Sequence, residues 1–218
     1  MNNLNILINL LESQKDPQTA KAMSTYMRDH FPFLGIKSPQ RREIVKEFLK
    51  VYPPEKEWVS TLWNLPEREY QYTGLDILFK IKKKLEPKDL SLIEGFILNR
   101  SWWDTVDLLA SNAAGYLLHN SPRLQLEYGE KWIQSENMWL NRTAILFQLH
   151  YKQDTDEDLL YRYILRHSDS PEFFLQKAIG WALREYSKTN AASVKDFVEK
   201  ENLKPLSKRE ALKWINKD

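Results

Sequence analysis

Ser101-Trp102-Trp103-Asp104-Thr105-Val106-Asp107 leads into the apolar residues Leu108–Ala110, and the fold can be counted outward from it. If the segment is helical, Trp103 and Asp107 stand one turn apart on the same face. An aromatic face beside a carboxylate suits a cationic guest, because the ring offers its π cloud and the acid its charge. The plainer reading is an amphipathic helix whose tryptophans are core and whose acids are solvated. Steps of 35 residues from Asp107 reach Tyr72 on one side and Arg142 and Lys177 on the other. Each of these lies near the start of the second helix of a pair, and the next column (Thr73, Leu108, Thr143, Ala178) is small or apolar, as inward-packing positions should be. Helix pairs at a fixed period stack into an α-solenoid, with equivalent helices lining one surface.

The rest of the chain agrees with an all-α fold. It has only 6 glycines and no long apolar/polar alternation, and apolar residues recur at three and four almost everywhere. Opening helices are expected at about 4–14 and 17–30, followed by an apolar loop, Phe31–Lys37. Ser38-Pro39 reads as a helix start, with Ser as N-cap and Pro at the first position, and Pro53-Pro54 as a break. Further helices are expected at about 55–64, 66–84, 87–98, 102–119, 122–134, 138–152, 156–167, 171–188, 191–201 and 207–216, with Pro66, Pro87, Pro122 and Pro171 at helix starts. The expectation is one HEAT-like repeat domain over 1–218, with opening helices at about 3–30 and repeated helix pairs at about 38–218.

Composition narrows the function classes. A chain of 218 residues with 42% hydrophobic and 28% charged residues reads as a soluble globular protein with a large core. No apolar run is long enough to cross a bilayer, and the first residues lack the order of a signal peptide. Without cysteine there is no disulfide, thiolate nucleophile or cysteine-ligated zinc, so a reducing cytoplasm is the simplest expected location. His30, His119, His150 and His167 never pair at metal-ligand spacing, and no Gly-rich phosphate loop or Gly-x-Ser-x-Gly elbow occurs. Neither metal nor cofactor is expected.

A net charge of +2 does not by itself point to nucleic acid, so the case rests on where the charges fall. Lys177, Trp181, Arg184 and Lys188 share one helical stripe, Arg41 and Arg42 open another helix, and Lys208 and Arg209 open the last. A basic concave surface carrying aromatic side chains would seat a phosphate backbone. For any single cation a solvated helix face is the simpler explanation, and Lys80-Ile81-Lys82-Lys83-Lys84 needs no more than the dipole of a helix C-terminus.

Several longer stretches carry a family resemblance: Tyr26-Met27 with His30–Ile36, Leu62–Glu69, Ser101–Asp107, Arg142–Leu149, Phe173–Trp181 and Leu206–Glu210. In order and spacing they resemble the bacterial AlkD family of DNA alkylation repair glycosylases, over essentially the whole chain. The resemblance implies a stack of HEAT-like repeats with a basic concave DNA-binding face. It also implies hydrolysis of the N-glycosidic bond of cationic alkylated purines, chiefly 3-methyladenine and 7-methylguanine, in duplex DNA without base flipping. By the same resemblance the catalytic acid falls on Asp107, the pocket tryptophans on Trp103 and Trp181, and the arginine near the lesion on Arg142. Tyr26 would border the pocket, and Arg184 and Arg42 would lie near the DNA backbone.

The chemistry follows from the residue types. A carboxylate at Asp107 can steady the positive charge that grows on the deoxyribose and orient the attacking water. The faces of Trp103 and Trp181 would embrace the cationic nucleotide. Arg142 and Arg184 would hold flanking phosphates, and Lys177 and Lys188 would add to affinity. The expected partner is double-stranded DNA containing alkylated purines, bound by a monomer. The alternatives are a non-catalytic helical-repeat scaffold binding DNA or a protein partner on its concave face, and a relative that binds damaged DNA without excision.

Overall fold

The computed structural model describes residues 3–119 and 121–216. Among them there are fourteen α-helices, four shorter helical segments and no strand, so the chain is all-α. Cα packing divides the chain into two compact units, Met1–Leu85 and Glu86–Asp218.

The first unit holds α1 (Asn3–Glu12), α2 (Pro17–Tyr26), α3 (Ser38–Val51), α4 (Lys56–Trp63) and α5 (Arg68–Lys80). Asp16 caps α2 by accepting from the Gln18 amide, with Pro17 in the first turn. That helix ends at Tyr26, earlier than expected, because Arg28 and Asp29 both take left-handed φ values near +55°. The N-cap of α3 is Lys37, so Ser38 and Pro39 fill the first turn and Ser38 is not the cap. Pro66 precedes α5 by two residues and does not start it. The loop Phe31–Lys37 is held from α5: the buried Glu69 carboxylate accepts from the amides of Leu34, Gly35 and Ile36 at 2.8–3.0 Å. Gly35 has φ +92°, and a Cβ there would overlap the Asp16 carbonyl, so only glycine fits this turn.

The second unit holds α6 (Leu90–Leu98), α7 (Trp103–Leu108), a π-helical segment (Leu109–Ala114), α8 (Gly115–Leu118), α9 (Pro122–Ile133) and α10 (Met138–Leu146). It continues through α11 (Glu157–Arg166), α12 (Phe173–Tyr186), α13 (Ala191–Lys200) and α14 (Pro205–Ala211). Ser121, Asn137, Asp156 and Asn190 cap α9, α10, α11 and α13 through their side chains. Pro171 lies before the first residue of α12 and so does not begin it. Two rows of helices result. One runs α7 and its π segment, α10, α12 and α14. The other runs α6, α9, α11 and α13, joined by Lys131–Glu94, Arg162–Glu130 and the Tyr161–Phe197 ring stack.

The 35-residue spacing has a structural counterpart one position before the counted column. Gln71 donates to the carbonyls of Leu62, Trp63 and Leu65, closing the end of the helix that precedes its own. Asn141 does the same for Trp132, Ile133 and Ser135, while Gln176 donates to Ser170 and Pro171 in the loop that leads into its own helix. Gln71 and Asn141 thus satisfy carbonyls that a helix end leaves without partners. In the inward column Thr73, Thr143 and Ala178 are fully buried, but Leu108 is 38% exposed. It stands where α7 gives way to the π segment, and Leu109 takes the buried place instead. Ala110, Ala113, Ala114 and Gly115 then bring this helix close to the chain following α10. A Cβ on Gly115 would lie 2.3 Å from the Phe147 carbonyl oxygen.

Candidate active site

Trp102 is the N-cap of α7, in extended backbone, so α7 begins with Trp103 and sets Asp107 one turn further on. Trp102 itself packs edge-on to Phe174 at 5.1 Å between ring centroids and leans on Trp139 at 5.7 Å. This aromatic cluster ties α7 to α10 and α12 and fixes the level of Trp103 and Asp107.

The Asp107 side chain is 12% exposed and faces the Arg142 guanidinium of α10 in a two-pronged pair. Arg142 Nε donates to Oδ1 at 2.6 Å and Nη2 to Oδ2 at 2.7 Å, while Nη1 donates to the Phe174 carbonyl. Each guanidinium nitrogen is therefore engaged inside the protein. Beside the phosphate contact expected from the sequence, Arg142 thus spends three of its five N–H donors on Asp107 and on the start of α12. Burial pushes the Asp107 carboxyl above its ordinary range, Asp104 adds to that, and Arg142 opposes it. Because a guanidinium keeps its proton, a neutral Asp107 would strand a buried cation, so the pair is held charged.

Asp107 and Arg142 border a cleft of about 290 Å³ whose other walls are Trp103, Phe173, Phe174, Lys177, Trp181, Arg184 and Glu210. All of them belong to the second unit. Helix α12 supplies most of the wall, since Phe173, Lys177, Trp181 and Arg184 recur at three and four along it. Phe173 is 55% exposed, an apolar ring left at the cleft edge. Glu210 comes from α14, with its side chain 5% exposed. It takes Lys177 at 3.1 Å and Lys213 at 2.7 Å on one oxygen, and Arg184 at 2.9 Å on the other. The Lys213 hydrogen bond and the Lys177 ammonium hold its carboxyl down to about 2. Gly180 permits this arrangement, because a Cβ there would stand 2.4 Å from the Glu210 Cβ. Ser207 adds a hydrogen bond to the Gln176 carbonyl.

A model of the DNA alkylation repair enzyme family matches residues 7–215. The chain belongs to that family. A solved structure described as a predicted DNA alkylation repair enzyme from Enterococcus faecalis is similar throughout, with a TM-score of 0.86 at 34% identity, covering 94% of this chain and 98% of that one. None of the curated proteins matches the chain.

Against the sequence expectations, the cleft of this family member brings together Trp103, Asp107, Arg142, Lys177, Trp181 and Arg184. Lys188 does not line it: one turn beyond Arg184, it pairs with Glu185 at 2.6 Å, lies over the Trp214 ring and borders a separate depression. Tyr26 and Arg42 belong to the first unit, Tyr26 at the end of α2 and 74% exposed, Arg42 exposed in the first turn of α3. Arg41, grouped with Arg42 as a surface cation, is instead buried against Asp76 and the Tyr72 ring. Phe173, Phe174 and Glu210 were missed as site residues. Their signals were available: two aromatic residues opening the helix of Trp181, and an acid in the same quoted stretch as Lys208 and Arg209. Among the described residues no three His, Asp or Glu side chains gather as metal ligands, and no helix is long and apolar enough to cross a membrane.

Proposed function

We propose that this DNA alkylation repair family member is a DNA glycosylase that hydrolyses the N-glycosidic bond of cationic alkylated purines, such as 3-methyladenine and 7-methylguanine, in duplex DNA. The observation that carries the reading is an arginine-paired carboxylate at the border of a cleft walled by two indoles and by cations. A purine alkylated at N3 or N7 is already positive and leaves with the bonding electron pair as a neutral base. The sugar left behind has oxocarbenium character, and Asp107 is placed to stabilise it. Water, oriented by the carboxylate, then adds at the anomeric carbon and gives its proton to solvent.

Arg142 has a part beyond the phosphate contact expected of it. Its two hydrogen bonds fix the plane of the carboxylate, and each carboxylate oxygen retains acceptor capacity for a sugar or a water. Trp103 and Trp181 favour a cationic over a neutral base, each by about 0.5–2 kcal/mol. Selectivity of this kind reads charge and a weakened bond, and so needs no base turned out of the helix. The ion pair is also the observation that favours a second reading, in which Asp107 is structural and the cleft binds DNA without excision.

Asp107→Asn separates the two. Release of 7-methylguanine from methylated duplex, followed by mass analysis of free bases, should fall at least about a thousandfold. Binding to undamaged duplex should stay within a few-fold of wild type. Undiminished release by the variant would end the glycosylase assignment of Asp107, and binding with no release by the wild type would favour the second reading.

A further inference from the structure

A cleft that receives a positive base poses an electrostatic problem. Its walls hold three cations, Arg142, Lys177 and Arg184, and cations that attract phosphate also repel a cationic purine. Arg142 is neutralised by Asp107. The other two converge on Glu210, which is buried and comes from a separate helix: Lys177 shares one oxygen with Lys213, which does not line the cleft, and Arg184 takes the other. Lys177 and Arg184 lie two turns apart on α12 with Trp181 between them, so Glu210 bridges the two cations that flank this indole along the helix. Few acids could be so placed: α14 reaches this depth only because residue 180 is glycine and Ser207 bonds the Gln176 carbonyl.

We propose that Glu210 is the counter-ion of the cleft, a positioning residue that draws Lys177 and Arg184 back against the wall and cancels enough of their charge for a cationic purine to be accepted beside Trp181. This rests on the glycosylase reading and extends it to a residue that acts through the two cations it holds. Phosphate and base ask for opposite fields a few ångströms apart. The carboxylate meets both demands by leaving the cations at the cleft while screening its interior. Its removal should therefore move two measured quantities in opposite directions, whereas a purely structural loss would lower both.

The test is Glu210→Gln, assayed beside wild type and Asp107→Asn. Affinity for undamaged duplex should rise, and the plot of log affinity against log salt should steepen by about one unit. Single-turnover release of 7-methylguanine should slow by about tenfold to a hundredfold. The paired variant Lys177→Gln with Glu210→Gln removes one charge of each sign and should recover most of the lost release. If Glu210→Gln leaves release at the wild-type rate, or if the paired variant releases no faster than Glu210→Gln alone, the counter-ion role is overturned. Loss of affinity and release together in the single variant, with recovery of neither in the paired one, overturns it in the same way. The glycosylase reading fails on a different result, a wild-type protein that frees no base from methylated DNA.

Discussion

Each unit buries a carboxylate on the second helix of a pair, and the two acids are used in opposite ways. In the first unit Glu69 is fully buried, and three backbone amides of the Phe31–Lys37 loop fill its oxygens. In the second unit Asp107 takes two bonds from a single guanidinium and keeps an edge on an aromatic cleft. Burial and ion pairing alone therefore do not mark a reactive acid. What matters is whether acceptor capacity remains where a ligand can come. The same contrast separates the two Arg–Asp pairs spaced 35 residues apart: Arg41–Asp76 braces α3 against α5, whereas Arg142–Asp107 aims a carboxylate at open space.

The largest effect that would sharpen this contrast is on stability. Glu69→Gln replaces an anion shared by three amides and should cost about 3 kcal/mol, read as a lowered midpoint in urea. Asp107→Asn leaves the buried Arg142 guanidinium without its counter-charge and should lower the same midpoint by a comparable amount while also removing base release. A Glu69→Gln protein that stays folded yet loses release as Asp107→Asn does, or one as stable as wild type, would break the distinction between a scaffold acid and a working one. A second effect falls on the contact that places Glu210. Gly180→Ala forces a methyl group against the Glu210 Cβ and should cost about 1–3 kcal/mol by thermal melting, with slower release. The smallest concerns Lys188, paired with Glu185 outside the cleft. Lys188→Ala should flatten the salt dependence of DNA binding slightly and leave single-turnover release unchanged, and a loss of release comparable to that of Asp107→Asn would place it at the chemistry after all.

Much of this was readable in the sequence because helical periodicity is a long signal. The 35-residue spacing survives as ion pairs and amide caps between neighbouring helices, and the cleft was reached through Trp103, Asp107 and Trp181. Other features lie below the resolution of a pattern. The π segment after Asp107 differs from an α-helix by about one residue per turn, which leaves the apolar recurrence almost unaltered, so one uninterrupted helix over 102–119 was expected. The early end of α2 depends on two left-handed residues, Arg28 and Asp29, of which only the aspartate favours that conformation. The role of Glu210 depends on three partners, of which Lys177 and Arg184 are on another helix, and no spacing along its own helix reveals them.

The amide caps bear on how the chain is made as well as on how it holds together. Asn141 reaches carbonyls only six to nine residues behind it, as Gln71 does in the first unit. A hairpin of this kind can seal itself using only residues that have already left the ribosome, with no appeal to sequence still to be translated. Bonds across some 31 to 37 residues, such as Arg142 to Asp107 or Ser207 to Gln176, then fasten each newly finished hairpin to the one before it. Such a chain can assemble in the order of its synthesis, and α14, made after the helix it packs on, delivers the carboxylate that completes the cleft wall.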